Sequence, residues 1–190
     1  MSAVIADSNS AATSGTSKDL TVTAPAGSTI GEALIVIAFA DNSTDFSSST
    51  TGWTLRATTT KVGGDGQIAV YSTNTVNGEF EVTGSDFQTM TAIYLRVTGA
   101  DYDNIVWGTT VQGAATNIVI PGITIPEADC LEILSAGSDN GSTNLTTPAG
   151  FSITATAPTT QDKHVIYDKL TASGATGTRT VVSDQSTRRN

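Results

Sequence analysis

His164 is the only histidine in 190 residues, so a histidine base, metal ligand or pH switch has one address in this chain. The aliphatic Ile68 stands at the matching place in a self-similarity described below. That match favours a structural histidine at a strand end, its ring partly packed, over a catalytic one. The sequence contains no Gly-x-Ser-x-Gly elbow, no Gly-x-x-x-x-Gly-Lys-Ser phosphate loop and no His-Glu-x-x-His pair. A carboxylate pair for glycoside hydrolysis can be assembled from acids distant in sequence, but no pair stands out. Asp41-Asn42-Ser43-Thr44-Asp45, Asp101-Tyr102-Asp103-Asn104 and Asp139-Asn140-Gly141-Ser142 offer the oxygen ligands that calcium takes. None fits an EF-hand loop, and Asp, Asn and Ser crowd into turns by bonding nearby backbone, so these are read as solvated turns. No cofactor or metal is assigned; a hard cation such as calcium is the kind these oxygens suit. Cys130 is alone, which excludes an internal disulfide or a thiolate cluster. Asn42, Asn140 and Asn144 head Asn-x-Ser/Thr sequons, which a Ser/Thr-rich composition produces without glycosylation.

The elements that must position these residues are strands. Apolar residues recur with period two at Phe80 and Val82, at Ile93, Leu95 and Val97, at Ile118 and Ile120, and at Ile123 and Ile125. Ala33 to Ala40 is continuous and β-branched, the pattern of a central strand covered on both faces. Turn formers separate these runs: Gly63-Gly64-Asp65-Gly66, Asn77-Gly78, Asp139-Asn140-Gly141 and Pro148-Ala149-Gly150. No window of helical length keeps a 3.6-residue period, so the chain is expected to be a soluble all-β protein: a sandwich, jelly roll or barrel. Charged residues are 14% of the chain, and 9 Lys and Arg against 18 Asp and Glu leave a formal charge of -9. That charge repels phosphate backbones and anionic headgroups, which argues against nucleic acid and membrane as partners. The opening Met1 to Asp7 reads as no secretory signal and Ala33 to Ala40 is too short to span a bilayer, so folding in a cytoplasm is expected.

Three stretches match in the same order. Leu34-Ile35-Val36-Ile37 resembles Leu131-Glu132-Ile133-Leu134 at an offset of 97, Gly52-Trp53-Thr54-Leu55 resembles Gly150-Phe151-Ser152-Ile153 at 98, and Ile68-Ala69-Val70-Tyr71 resembles His164-Val165-Ile166-Tyr167 at 96. The chain therefore divides into an N-terminal β repeat with an N-terminal arm (1–112) and a C-terminal β repeat (113–190) joined near Gly113-Ala114-Ala115. The second half has no counterpart of Thr91 to Val97, so it lacks a strand and leaves a sheet edge open. Ala3-Val4-Ile5-Ala6, or a strand from a neighbouring subunit, is expected to fill that edge. Trp53 and Phe151, and Tyr71 and Tyr167, occupy matching places and are read as packing. Tyr94, Tyr102 and Trp107 have no counterparts and lie near the junction. With Val4 and Ile5 of the arm and the terminal Arg188 and Arg189, they are the candidate interface residues.

The order of elements also resembles a known group. An aliphatic strand, Gly52-Trp53-Thr54-Leu55, a glycine-rich turn, Ile68-Ala69-Val70-Tyr71, Gly78-Glu79-Phe80-Glu81-Val82 and Ile93-Tyr94-Leu95-Arg96-Val97-Thr98-Gly99-Ala100-Asp101 together are similar to the duplicated β-sandwich proteins among tailed-bacteriophage virion components, including head decoration and accessory tail proteins. The resemblance implies a jelly-roll-like antiparallel β-sandwich of two related halves, without catalytic residues. It implies a virion structural protein that decorates the outer capsid in many copies, stabilising the shell or presenting an adhesive surface. Its partners would be the major capsid protein or other virion proteins and sister copies in a homo-oligomer. Two other classes remain beside it: a tail or receptor-binding protein recognising host glycans through Trp107 or Tyr102, and a polysaccharide-active enzyme. Phe151 in place of Trp53 and the missing last strand depart from the pattern.

Overall fold

A computed structural model describes residues 2–13, 17–40, 45–59, 67–85, 89–108, 116–138, 142–159 and 163–184. Within them the chain is all-β, its only helical element being a 3-10 turn at Tyr102–Asn104. In chain order the strands are β1 (Val4–Ala12), β2 (Asp19–Val22), β3 (Ala33–Ala40), β4 (Phe46–Ser47), β5 (Thr54–Thr58), β6 (Gln67–Thr73), β7 (Phe80–Gly84), β8 (Met90–Thr98), β9 (Asn117–Ile120), β10 (Thr124–Ile125), β11 (Cys130–Ser138), β12 (Ser152–Pro158), β13 (Lys163–Thr171), β14 (Gly174–Ala175) and β15 (Arg179–Val182). The lone cysteine and the lone histidine both lie on strands.

The sheets stack as layers. A five-stranded antiparallel sheet runs β1-β8-β3-β6-β5. One face packs on the small sheet β2-β7-β4. Alternation decides what lies between them: Leu20 and Val22, Leu34 and Val36, Phe80 and Val82, and Ala92 and Tyr94 point inward and are buried, with Trp53 leaning on Phe80 and Tyr94. The opposite face carries Ile35, Ile37, Phe39, Ile68, Ile93, Leu95 and Val97 and packs on the sheet β11-β13-β12 through Ile166, Ala157, Leu131 and Ile133. That second sheet is covered in turn by the β9-β15 ribbon over Ile118, Leu134, Phe151, Val165, Tyr167 and Val181. All eight residues of β3 are buried because apolar layers lie on both of its faces, as the unbroken run Ala33 to Ala40 predicts. Three apolar layers thus join four of the five sheets, and the middle one, though built mostly by residues before the proposed boundary at 112–113, takes Leu131, Ile133, Ala155, Ala157 and Ile166 from beyond it.

The order β3-β6-β5 recurs as β11-β13-β12. Leu55, Tyr71 and Val36 stand in one cross-strand row, and Ile153, Tyr167 and Leu134 stand in another. A register shift follows Leu55 on β5, and one follows Ile153 on β12. Gly52 and Gly150, with φ of 86° and 81°, make the turns before these strands, a backbone conformation that side chains with a Cβ rarely adopt. These rows correct one sequence match. Val36 corresponds to Leu134, not Ile133, so the offset on this strand is 98. A slip of one residue exchanges the two faces of a strand; in the corrected register Leu34 corresponds to Glu132.

The arm differs from expectation. β1 pairs with β8 from Val4 opposite Thr98 to Ala12 opposite Thr91, extending the sheet of its own half instead of completing the second. A nine-residue partner with eight paired positions outcompetes the shorter edge contact imagined for Ala3 to Ala6. The outer edge of β11 therefore has no strand beside it among the described residues. The junction Gly113-Ala114-Ala115, the turn Gly63 to Gly66 and the terminal Arg188 and Arg189 fall outside the described residues.

Candidate functional site

Where β3 has β8 beside it, β11 has a cleft of about 640 Å³, within the size range of ligand sites. Its floor is the apolar face of the five-stranded sheet, with Ile35, Ile37, Ile68 and Val70, and its sides are the segment around Ile105 and Trp107 and the turns around Ile123 and Ile125. Consecutive residues Cys130 to Ser135 all line it. Side chains of a strand alternate between faces, so a strand touches one cavity with both sets only along its edge. Asp101, Glu127, Asp129 and Glu132 line the cleft and no Lys or Arg among the described residues does. Glu132 is buried and neutralised: its Oε1 accepts from Arg179 Nε at 3.2 Å, its Oε2 lies 3.6 Å from Lys169 Nζ, and both cations lie over the Phe151 ring. Asp129 is the only described non-glycine residue with positive φ, 61°, a conformation that Asp tolerates better than most side chains. Its carboxylate and that of Glu127 are exposed.

Ser135 and His164 form the one pairing in the cleft wall that resembles a catalytic group, with Ser135 Oγ 2.8 Å from His164 Nε2. His164 is fully buried, packs 6.0 Å from the Phe39 ring centroid, and its Nδ1 has no partner. It lies deeper than the partly packed strand-end ring expected of it. Burial pushes its pKa down to about 3. An unfilled buried acceptor is tolerated better than an unfilled donor, which favours the tautomer in which Nε2 donates to Ser135 Oγ and Nδ1 keeps its lone pair. In that tautomer His164 cannot take the serine proton, and among the described residues no carboxylate orients it for the opposite one.

The expected interface residues separate sharply. Tyr94 is fully buried, edge-on to Trp53 in the inner core; it is a core residue and not a surface one, because it follows Ile93 in strict alternation on β8. Its hydroxyl lacks a partner, and burial raises its pKa to about 12. Tyr102 and Trp107 are half-buried and bracket Arg56, whose guanidinium lies 5.2 Å and 5.9 Å from their ring centroids; Arg56 Nη2 donates to Tyr102 Oη at 2.6 Å. Val4 is 45% exposed on the outer strand, while Ile5 turns in against the middle layer. Asp101 caps the 3-10 turn, accepting from Asp103 N and Asn104 Nδ2, which bears out a turn role for that cluster. Asp41 to Thr44 and Asp139 to Gly141 lie outside the described residues, among which no group of three His, Cys, Asp or Glu side chains converges.

Sequence reading missed the ion pair of Arg96 with Glu32. Arg96 donates Nη2 to Glu32 Oε1 at 2.8 Å and Nε to Oε2 at 2.9 Å, and the guanidinium holds the Glu32 pKa down at about 2. That pair joins residues 64 apart and the Arg179–Glu132 pair joins residues 47 apart, so no local motif announces them. Among the described residues no helix is long and apolar enough to cross a membrane. No protein-family model, curated protein or solved structure matches the chain, so its chemistry has to be argued from the cleft, the free strand edge and the exposed apolar residues.

Proposed function

We propose that this chain is a virion structural protein of the tailed-bacteriophage type, a head decoration protein that binds the outer shell and its sister copies in many places at once. The observation that carries the reading is a pair of exposed apolar side chains at corresponding positions, Leu55 on β5 and Ile153 on β12, 48% and 54% exposed beside the two register shifts. Each sits on the last strand of its sheet, where a partner that covered it would gain the burial of its side chain. Small patches of this kind bind weakly one at a time and firmly as an array. Val119 and Val182 on the outer face of the β9-β15 ribbon extend the same supply of contact surface. The adjacency of first and last strands in β1-β8-β3-β6, with β2-β7-β4 opposite, supports a jelly-roll-like reading of the first half, and the recurring rows support an origin by duplication. The reading assigns the chain no catalytic step.

Quantitative mass spectrometry of particles purified from the source tests it. Hundreds of copies relative to the main shell protein are expected, a handful moves the chain to the tail, and absence from particles removes the virion reading. The Tyr102, Arg56 and Trp107 arrangement favours a second reading, host-glycan recognition, since a half-buried ring held by a cation presents a face to a sugar. That reading predicts that Trp107→Ala abolishes binding on a glycan array while the chain remains folded, with a circular-dichroism spectrum like that of wild type.

A further inference from the structure

We propose that the free edge of β11 receives an extended segment of a different polypeptide, one with alternating apolar residues and with basic residues toward its C-terminal end. The corresponding strand β3 shows what such an edge accepts: β8 lies antiparallel along it over eight residues, from Ala33 opposite Val97 to Ala40 opposite Met90. Beside β11 the same place is the cleft, lined by six consecutive residues of the strand, about 17 Å of edge at the usual strand rise. Strand addition takes its affinity from main-chain bonds along such an edge and its specificity from pockets for alternate side chains. Ile35, Ile37, Ile68 and Val70 supply an apolar floor for one set.

Charge selects the occupant. An antiparallel guest ends at the beginning of β11, where the carboxylates of Glu127 and Asp129 make no bond to any described residue and, among the described residues, no cation lines the wall. A guest with Lys or Arg there gains what the site lacks. A second copy is a poorer donor. Its described apolar strands are already paired in sheets, its Arg56, Arg96, Lys169 and Arg179 are engaged within the fold, and the terminal Gln185 to Asn190 carries two arginines but no apolar residue. This inference stands apart from the virion reading: a chain absent from particles would still take the segment.

The probe is a fluorescein-labelled peptide copying Met90–Thr98 with two lysines added at its C-terminus, titrated with the full chain and followed by anisotropy. Saturable one-to-one binding is expected. The same peptide N-methylated at every second amide, made in both phases, should lose binding about tenfold or more in one phase only, because only one edge pairs. Glu127→Gln combined with Asp129→Asn, which keeps a side chain that tolerates positive φ, should weaken binding about three- to tenfold at low salt and little at high salt, with an unchanged melting curve. No saturable binding at about 1 mM chain overturns the proposal. Equal binding in both methylation phases also overturns it, leaving a pocket that recognises side chains alone. If sedimentation shows a dimer that the peptide dissociates, the edge belongs to a second copy and the heterologous partner is excluded.

Discussion

His164 carries the clearest pH signature in the molecule. Its ordinary pKa of 6.5 falls to about 3 on burial, so between those values the unfolded chain binds a proton that the native chain refuses. Stability therefore falls as the pH drops from about 6.5 toward 3. Glu32 works in the same direction over a lower window: its carboxylate is held at about 2 by Arg96, and its contribution, complete above about 4.5, is lost as the pH falls toward 2. Urea midpoints measured from pH 7 to 5 isolate the histidine, because Glu32 does not yet titrate. His164→Leu is expected to flatten that limb while wild type loses stability, and an unchanged slope in the variant would show that another group is responsible. The sequence placed His164 opposite an aliphatic counterpart, Ile68, and so its structural character was legible. Its depth was not, because Phe39, which closes over it, lies 125 residues away in the other half.

At the level of elements, the strand alternation of Phe80, Val82, Ile93 and Leu95 and the doubly covered run at β3 were readable because period two and period zero are properties of neighbouring residues. Pairing was not. The arm Val4–Ala12 alternates so weakly, with Asp7, Ser8, Asn9 and Ser10 in its middle, that its destination beside β8 follows only from the geometry of the whole sheet. The cost of removing it can be bounded. Ile5, Ala3 and Ala11 pack against the two core layers, and burying one isoleucine-sized side chain is worth about 1.5–3 kcal/mol. Deletion of residues 2–12 is expected to lower unfolding free energy by about 3 kcal/mol or more and to make the chain self-associate, since β8 becomes an edge strand. Denaturation midpoints and light scattering check both. A soluble variant of undiminished stability would mean that β1 is a dispensable cover. The one-residue error in the match to β11 has a related cause: four aliphatic residues in a row look alike in either phase, and only cross-strand partners such as Tyr167 decide which face is inward.

At the scale of the molecule, the question is whether the four sheets behave as one body. The middle apolar layer, where Phe39 and Ile93 of one half meet Ala157 and Ile166 of the other, makes independent melting of the halves costly. A single calorimetric transition with matching van't Hoff and calorimetric enthalpies is expected; two transitions would mean that the layer is a docking surface between separate domains. Gly137 gives a sharper probe. A Cβ added there would collide with the ring of Phe39, so in Gly137→Ala that buried ring or the packing of the two sheets around it must shift, at a cost of about 1–3 kcal/mol. If the sheets are coupled, that loss appears in the one transition; if not, it appears only in the half that carries residue 137.

The enclosure of β3 sets a clock for the whole protein. Its backbone amides pair with β6 on one edge and β8 on the other, and all eight of its residues are buried, so opening the strand to deuterium requires both neighbouring strands to leave it. Its amides should therefore exchange last and together, at a rate set by the full unfolding equilibrium. Outer strands such as β4 and β14, two residues long, should exchange early. A single exchange experiment then reads global stability from β3 without any denaturant.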